Sequence, residues 1–545
     1  MTSVDFLQSL LRLQFGASAS FHFLFVPLSI GLIWQVCLLR TAHARAPHER
    51  HLLAAAQHWQ RYFTLTWAVG IATGYPLRAQ LAANWAGYIG EATPVLSTIF
   101  SVEGGIAPGM FALVGLLFFF GARLPAWLGA VAAWALLGHM LLQALTILAV
   151  NAWMQAPIAN IELMSLLTTP TTLHKWSHTI CAALVSGAFF VMALSAMHLR
   201  RSRQRDAAQA SIRFGALTAI GALSLTLLSG HESASLVAET QPRKFAAFEA
   251  HWKAEEGWAP MVLFGVPDVA QGVNRHEIAI PKLMGMLMAG KDGNPPGLLD
   301  LEARDRDRFL QMSRDETHQP GVARNSQGLD THLPWQGSPE ERGLRLLRNA
   351  VAAQHGEAWL GWSETQRAEA VARAARPNVT VVFWAFRAMV FSGGLCMLLA
   401  ALAFWHRDAL SQGRAPRLMR AIQWGLPLPW VAIIAGWAVA EVGRQPWTIT
   451  GLLTTYHASL HPTLDQGLLD VLVHLLAGAL LSLVYVSVAT ALWRIGPRVG
   501  ILGTVQRWWQ QRGGRRDRLA TPLPVASAAV GGVNEADASN PSASA

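Results

Sequence analysis

Charged residues are scarce in this 545-residue sequence: Asp, Glu, Lys and Arg make up 14% of it, against 52% hydrophobic residues. A typical soluble domain is about 25% charged, so the scarcity excludes an ordinary soluble enzyme. Mean hydropathy is correspondingly positive, at +0.29. Residues 1–15 lack a basic start and an A-x-A-like cleavage site, so a removable signal peptide is not predicted.

Cysteine is also rare. The three cysteines, Cys37, Cys181 and Cys396, are far apart and lie in apolar runs. The C-x-x-C-H sequence that attaches haem c is missing, and no cysteine cluster suits zinc or an iron–sulfur centre. We therefore interpret the three thiols as structural. Histidines in the apolar runs are too few for the copper and two haems of a haem–copper oxidase.

What the sequence does contain is a series of apolar runs long enough to cross a bilayer, which takes about 20 residues of helix. Glycine and proline inside such runs are tolerated in a membrane bundle. The sequence therefore predicts an all-α polytopic membrane protein of about nine spans. These lie near residues 17–40, 56–76, 94–121, 127–150, 179–199, 212–230, 379–405, 421–442 and 468–494.

Basic residues are distributed unevenly between the two sides of these spans. The loops on one side contain Arg40, Arg45, Arg50, Arg123, Arg200, Arg201, Arg203, Arg205, Arg407, Arg414, Arg417 and Arg420. The short loops on the other side contain only Arg78, Lys175 and Arg444. The positive-inside rule then places the N-terminus outside and the C-terminus in the cytoplasm. The net charge of +10 reflects topology and anionic lipid, and no nucleic acid partner is predicted.

The spans divide the chain into four parts. Residues 1–230 hold six predicted spans, and residues 378–495 hold three. Between them, residues 231–377 form one long polar segment on the outside, and a loop of that length usually has a function of its own. Residues 496–545 are predicted to be a cytoplasmic tail that is first basic and then disordered, because its end is rich in Ala, Ser, Gly and Pro.

Five side chains with metal-ligating or acidic chemistry fall inside the predicted spans: His22, Glu103, His178, Met389 and Glu441. With the predicted topology, all five lie in the outer half of the membrane. An acidic group at the bilayer centre costs at least ~2.5 kcal/mol, so each needs a partner. Taken singly, each has a simpler interpretation. A lone histidine usually makes an interhelical hydrogen bond, which is our interpretation of His139 and His474.

The other members of the set also have simpler alternatives. Met389 alone would be core filler, and Glu103 alone could belong to a proton relay in a transporter. The stretch WAVAEVGRQPW, residues 437–447, resembles an interface anchor because Trp and Arg favour headgroup level. That interpretation leaves Glu441 unexplained.

Together the same residues indicate haem. One His with one Met suits a six-coordinate, low-spin haem. A further His and a carboxylate suit five-coordinate, high-spin haems that keep a position free for a gas. Arg387 and Arg444 lie near the same helix ends and could pair with haem propionates, because the guanidinium fork matches a carboxylate.

Several longer motifs carry a specific resemblance. The segments are RLQFGASASFHFLFVPLSIG, NAWMQAP, LFGVPD, FRAM, GLPLPW and GRQPW. In this order across residues 12–447, they resemble subunit I of the cytochrome bd quinol oxidases. The resemblance implies nine spans in a haem-binding bundle, with a quinol-binding loop outside. It also implies a bacterial inner-membrane location, a second subunit without haem, and one or more single-span small subunits.

The resemblance also implies roles for particular residues. His178 and Met389 match the ligands of a low-spin haem b. His22 and Glu441 match the ligands of two high-spin haems, a haem b and a haem d, and which residue serves which haem stays open. The d site would hold either haem d or a second high-spin haem b. Glu103 matches an acid beside the oxygen-reducing site.

The remaining matches lie at the outer surface. Arg387 matches a residue near the low-spin haem, and GRQPW would cap the haem site. In QPRKFAAFEAHW, Lys244 and Glu249 match two positions implicated in quinol oxidation; the alternative is a solvated loop helix. Dioxygen would be reduced to water, with quinol protons released outside and substrate protons taken from the cytoplasm.

One departure from the family pattern concerns protons. Where the third span of the family carries a second glutamate, this sequence has Phe111, which alters the expected cytoplasmic proton route. Two other functions therefore stay open at this point. One is a haem protein that binds gas or transfers electrons with weak oxidase activity, and the other is an ion-coupled transporter that uses Glu103 and Glu441.

Overall fold

The computed structural model describes residues 3–201, 204–254, 257–288, 294–318, 339–459 and 464–497. The described part of the chain is built almost entirely of helices, with two short antiparallel hairpins. The all-α prediction is confirmed. Most of the predicted tail, residues 498–545, lies outside the described residues.

Eight α-helices precede the outer segment. They are α1 (Ser3–His22), α2 (Val26–Arg45), α3 (Arg50–Asn84), α4 (Ala86–Gly115), α5 (Ala126–Gln155), α6 (Leu163–Leu167), α7 (Pro170–Arg200) and α8 (Arg205–Thr240). A single π-helical turn, Leu116–Phe120, extends α4. Helix α8 continues to Thr240, into the stretch that the sequence assigns to the outer segment.

The outer segment has its own secondary structure. Strands β1 (Met261–Asp268) and β2 (Val273–Ile280) pair antiparallel, with Met261 opposite Ile280. The helices around this hairpin are α9 (Pro242–Glu249), α10 (Leu283–Leu287), α11 (Leu298–His318), α12 (Pro339–His355), α13 (Glu357–Leu360) and α14 (Glu364–Ala374).

The second membrane half follows directly. Its elements are α15 (Val379–Trp405), α16 (Arg407–Ser411), α17 (Pro416–Trp424), α18 (Leu428–Val442), β3 (Trp447–Ile449), β4 (Leu453–Thr454), α19 (Thr455–Ala458) and α20 (Leu464–Ile495). The short hairpin β3–β4 lies just beyond the end of α18 and contains the last residue of GRQPW.

Eight helical runs among the described residues are long and apolar enough to cross a membrane. They are Ser9–Arg45, Ala86–Phe120, Ala126–Gln155, Pro170–Arg200, Arg205–Thr240, Glu364–Trp405, Pro416–Val442 and Asp465–Ile495. The predicted span near 56–76 lies within α3, which is long but less apolar. The helix buries polar side chains such as Gln57 and Gln60 against its neighbours, so α3 depends on packing within the bundle.

The first predicted span is not one continuous helix. Helix α1 ends at His22 and α2 begins at Val26. Pro27 has no backbone N–H, so the carbonyl of Phe23 cannot receive the usual helical hydrogen bond. The chain therefore turns at residues 23–25, and this turn leaves His22 at a helix end.

The centre of the bundle is packed closely. Helices α2 and α7 cross where Gly31 meets Gly187: a Cβ on either glycine would lie 2.3 Å from backbone atoms of the opposite helix. Small residues allow this approach between membrane helices. The thiols of Cys37 and Cys396 are buried and that of Cys181 is half-buried, and all three are free.

Candidate functional site

Glu441, in the last turn of α18, is the centre of a polar cluster. Its Oε1 accepts hydrogen bonds from Asn151 Nδ2 at 3.0 Å and from Gln155 Nε2 at 3.2 Å. Its Oε2 accepts from Arg444 Nη2 at 2.5 Å. The partners come from the end of α5 and from the turn after α18. Glu441 is therefore held inside the protein by named groups, which a headgroup-level anchor would not require.

Two lysines complete this cluster. Lys175 Nζ donates to Asn151 Oδ1, and Lys244 Nζ donates to Gln155 Oε1. Each amide thus links one lysine to Glu441. Lys244 is buried, and burial, together with the charge of Lys175, lowers the pKa of Lys244 well below its ordinary value.

The cluster has more positive than negative charge. Lys175, Lys244 and Arg444 surround one carboxylate, and Arg444 is 8% exposed. Its Nε and Nη1 atoms are buried without a hydrogen-bond partner in the described part of the chain. Buried polar donors are normally satisfied, and charged donors pair best with a carboxylate or phosphate. The site thus fits a further anionic group such as a haem propionate.

His22 faces α3. Its Nδ1 lies 2.9 Å from Thr73 Oγ1. A Cβ added to Gly74, the next residue, would lie 3.3 Å from His22 Cε1. The ring is therefore held at one nitrogen and closely flanked by backbone, while Nε2 stays available as a ligand atom.

His178 is held in the same way between α7 and α8. Its Nδ1 lies 3.1 Å from Ser229 Oγ, and a Cβ on Gly230 would lie 3.4 Å from its Cε1. Met389, on α15, lies against α18, where a Cβ on Gly436 would lie 3.1 Å from its Sδ. Both side chains fit the ligand set of a low-spin haem.

Trp437, on α18, contacts residues that lie near the predicted ligands in sequence. Its ring stacks on Phe23, the residue after the α1 histidine, with centroids 4.4 Å apart and planes 6° apart. Lys175 lies three residues before His178, and its Nζ is 5.7 Å from the Trp437 ring centroid. Gly436 is the neighbour that contacts the α15 methionine, and Glu441 follows one turn later. The structure thus places Glu441 in α18 and Met389 beside it, and it brings Phe23 and Lys175, near His22 and His178 in sequence, into contact with the same helix.

The predicted quinol segment is α9, and it is tied to α15. Glu249 and Arg387 form an ion pair at 3.0 Å, with their side chains 5% and 6% exposed. Arg387 also donates to the carbonyls of Phe248 and Val262 and lies over the Phe383 ring at 4.1 Å. Arg387 therefore fastens the outer segment to the helix that carries the methionine ligand, a role that the sequence did not suggest.

Glu249 has the properties of a titratable group poised for proton transfer. Burial raises the pKa of its carboxyl above the ordinary range, although the Arg387 charge and hydrogen bond oppose the shift. Perturbed carboxyl groups of this kind are often found at functional sites. The solvated-loop interpretation does not describe α9, because both Lys244 and Glu249 are 4% exposed.

Glu103 lies near this cluster without being hydrogen-bonded into it. Its Oε1 accepts a 3.4 Å hydrogen bond from Thr146 Oγ1 on α5. Thr146 precedes Asn151 on the same helix by roughly 7.5 Å, at 1.5 Å per residue. Phe111, at the departure from the family pattern, is 53% exposed and meets Trp67 edge-on at 4.9 Å.

Among the described residues, no three or more His, Cys, Asp and Glu side chains converge on one possible metal position. The predicted ligands His22, His178, Met389 and Glu441 occur singly, each with its own neighbours. The fold defines a polytopic membrane protein, and the predicted ligand side chains within it fit a haem.

The comparison with known proteins defines the family. The model of cytochrome bd terminal oxidase subunit I matches residues 10–497, and the chain belongs to this family. It is 33% identical over 480 residues to the cytochrome bd-II ubiquinol oxidase subunit 1 of Escherichia coli K12, covering 84% of this chain and 90% of the relative.

Two further relatives agree. The cytochrome bd ubiquinol oxidase subunit 1 of Bacillus subtilis 168 is 28% identical over 473 residues, covering 84% of this chain and 87% of the relative. The bd oxidase structure from Geobacillus thermodenitrificans has the same fold, with a TM-score of 0.69 at 20% identity, covering 91% of this chain and 99% of that one. The resemblance inferred from the motifs is confirmed.

Proposed function

We propose that this chain is the haem-bearing subunit of a membrane quinol:oxygen oxidoreductase. The observation that carries the proposal is the connection of α9 to two predicted haem ligands. Lys244 reaches Glu441 through the Gln155 amide. Glu249 pairs with Arg387, two residues before Met389 in the same helix. The names of the relatives from E. coli and B. subtilis, both ubiquinol oxidases, support the same activity.

In this proposal the outer segment oxidises quinol. Glu249 is a carboxylate with a raised pKa, so it can accept a proton from the quinol hydroxyl, as a general base does. Arg387 holds that carboxylate in place. Lys244 donates to the Gln155 amide that reaches Glu441, and this contact keeps α9 against the end of α5.

The haem assignments follow the family pattern. His178 and Met389 would hold a low-spin haem b, and His22 and Glu441 would hold a high-spin haem b and a haem d. Arg444 has free donors for a propionate. When bound, these haems carry the electrons of quinol to dioxygen. Glu103, close to the Glu441 cluster, would deliver a proton to the oxygen-reducing site.

The membrane arrangement completes the proposal. The N-terminus lies outside and the C-terminus in the cytoplasm of a bacterial inner membrane, as the basic residues indicate. The family's second subunit and one or more single-span peptides would cover part of the apolar helix surface. This surface is extensive on α20, where Leu469, Leu475 and Leu483 are each more than 60% exposed.

Oxygen uptake by the purified complex tests the proposal. We expect uptake with a quinol as the only reductant and also with an artificial donor that reduces the haems directly. Haem without uptake from either donor would indicate a gas-binding or electron-transfer protein. A complex that purifies intact without haem would overturn the proposal and favour the transporter.

A further inference from the structure

The two histidines predicted as haem ligands share a local arrangement that differs from that of His139 and His474. Each faces a neighbouring helix at a hydroxyl residue that is followed directly by glycine: Thr73–Gly74 for His22, and Ser229–Gly230 for His178. The two pairs lie on different helices, α3 and α8, so the same arrangement occurs twice in the chain.

The direction of the first hydrogen bond follows from the second contact of the hydroxyl. Thr73 Oγ1 lies 3.0 Å from Val69 O and 2.9 Å from Gly70 O. Its single proton is donated to these backbone carbonyls. The Thr73 oxygen therefore accepts from His22, which fixes the proton of His22 on Nδ1 and leaves the lone pair on Nε2.

The hydrogen bond between His178 and Ser229 has the same direction. Ser229 Oγ donates to Thr226 O at 3.2 Å, so it accepts from His178 Nδ1 at 3.1 Å. Gly230 lets the α8 backbone approach the imidazole edge, because a Cβ there would already be at contact distance. The imidazole thus has its Nδ1–H bound and its Nε2 available.

Two other histidines in the membrane helices show the contrast. His139 and His474 have Nδ1 2.8 and 2.7 Å from the carbonyl oxygen four residues earlier in their own helices. A Cβ on Gly109 would lie 2.9 Å from His139 Nε2, so this nitrogen faces the backbone of α4. Neither histidine has the interhelical hydroxyl.

We propose that Thr73 and Ser229 are positioning residues that fix the tautomer and electron-donor strength of His22 and His178 as haem ligands. Histidine ligands of metals usually donate their second N–H to a fixed acceptor, which orients the ring and raises its basicity. The inference rests on the proposed haem function, since it assigns these hydroxyls a role toward the haem.

The test is the midpoint potential of the low-spin haem in the purified complex, measured by spectroelectrochemistry. Ser229→Ala removes the hydroxyl acceptor, so His178 becomes a weaker donor, ferric iron is less stabilised, and the potential moves to a more positive value. Ser229→Thr restores the hydroxyl and should return the potential toward that of the wild type. Ser224→Ala is the matched control, because the exposed Ser224 hydroxyl bonds only to Ile220 O of its own helix.

The outcomes separate the two proposals. An unchanged low-spin potential in Ser229→Ala, with haem present, would overturn the positioning role and leave the oxidase function intact. Loss of low-spin haem in Ser229→Ala that Ser229→Thr reverses would support the role, whereas equal loss in both variants would show a requirement for shape alone. A wild-type complex without haem would instead overturn the function itself.

Thr73 allows the same experiment at the other histidine. Thr73→Val keeps the side-chain shape and removes the hydroxyl, whereas Thr73→Ser keeps the hydroxyl. Thr64→Val is the control on the same helix, because the Thr64 hydroxyl donates to Gln60 O of its own helix. We expect Thr73→Val alone to shift the high-spin absorption and raise its potential. High-spin spectra that match the wild type in all three variants would contradict the assignment.

Discussion

Glu441 and Met389 are both predicted iron ligands, yet their surroundings differ completely. Glu441 accepts hydrogen bonds from three side chains and has two lysines behind them. Met389 Sδ lies beside Gly436, where an added Cβ would be 3.1 Å away. A carboxylate that is two-thirds enclosed, as the Glu441 side chain is at 33% exposure, requires compensating charge, whereas a thioether requires only space. Substituting the first should therefore disturb both structure and haem, and substituting the second should disturb haem alone.

The largest effect is expected for Glu441→Ala. The change leaves the buried Arg444 without its carboxylate partner, and breaking a buried ion pair typically costs about 3–5 kcal/mol of stability. We expect loss of one high-spin haem together with a lower thermal unfolding temperature, measured by haem extraction and calorimetry. Glu441→Gln, which keeps the hydrogen-bond acceptor, should unfold closer to the wild type while still losing haem. A full haem complement in Glu441→Ala would remove Glu441 from the ligand set.

Met389→Leu should separate haem from fold. The side chains are nearly equal in volume, and such swaps usually cost less than about 1.5 kcal/mol. We expect the low-spin absorption and quinol oxidase activity to disappear, while the high-spin haems and the unfolding temperature are retained. Met192→Leu is the control: it makes the same change at a fully buried methionine of α7 that is not a predicted ligand, and it should leave the spectrum unchanged. A normal low-spin band in Met389→Leu would mean that another group supplies the sixth ligand.

Glu249→Gln tests the outer segment, where α9 carries the proposed proton acceptor. It keeps the shape but cannot accept a proton, and general-base groups contribute about 100-fold or more to rate. Turnover with quinol should fall by that order, while oxygen uptake from an artificial donor continues. Equal losses with both donors would mean that Glu249 supports structure only.

The control for this variant is another ion pair of the outer segment. Glu302→Gln breaks the pair with Arg376, which has Nε 2.5 Å and Nη2 2.7 Å from the two Glu302 oxygens. If fastening the loop were all that mattered, this change would slow quinol oxidation as much as Glu249→Gln does. We expect it to have a much smaller effect.

The raised pKa of Glu249 predicts a pH dependence. Only the deprotonated carboxylate can accept a proton, so quinol turnover should rise with pH through that pKa, and the rise should be absent in Glu249→Gln. Stability should move the other way. Because the folded state holds the proton more tightly than the unfolded state, stability falls as pH rises from the ordinary carboxyl pKa to the raised one. Parallel pH profiles for the two proteins would contradict the assignment.

The smallest expected effect is that of Gly436→Ala. The new Cβ would lie 3.1 Å from Met389 Sδ, closer than normal contact, so the thioether must shift by a few tenths of an ångström. We expect a small displacement of the low-spin absorption maximum with haem retained. Gly394→Ala, on the same helix as Met389 and with open space around it, should show no displacement. Identical spectra for the two variants would place the methionine sulfur elsewhere.

The comparison also shows what could be predicted from sequence. The all-α membrane fold and the family were recognisable, because the apolar runs and the motifs are long; the His, Met and Glu ligands within those runs stay predictions. The partners of Glu441 were not recognisable. Lys175 counted only as a charge outside the membrane, and Gln155 only as part of NAWMQAP, because contacts across nearly 300 residues leave no local spacing to detect.

Other features depended on local events that composition does not reveal. Pro27 lies one residue inside α2, and its missing N–H breaks the predicted first span. The polar end of α8 continues as helix to Thr240 because α9 and α15 pack beside it. The hydroxyl–glycine pairs had a readable signal, Thr73–Gly74 and Ser229–Gly230, but only the structure shows that each faces a histidine.

The most direct test of the account is the reduced-minus-oxidised spectrum of the purified complex with quinol as the only reductant. The account predicts a low-spin haem b band together with high-spin bands, all of which disappear when oxygen is admitted. In Met389→Leu only the low-spin band should be missing. A wild-type complex in which quinol reduces no haem would contradict the central claim that α9 and the residues around α18 form one quinol-to-oxygen path.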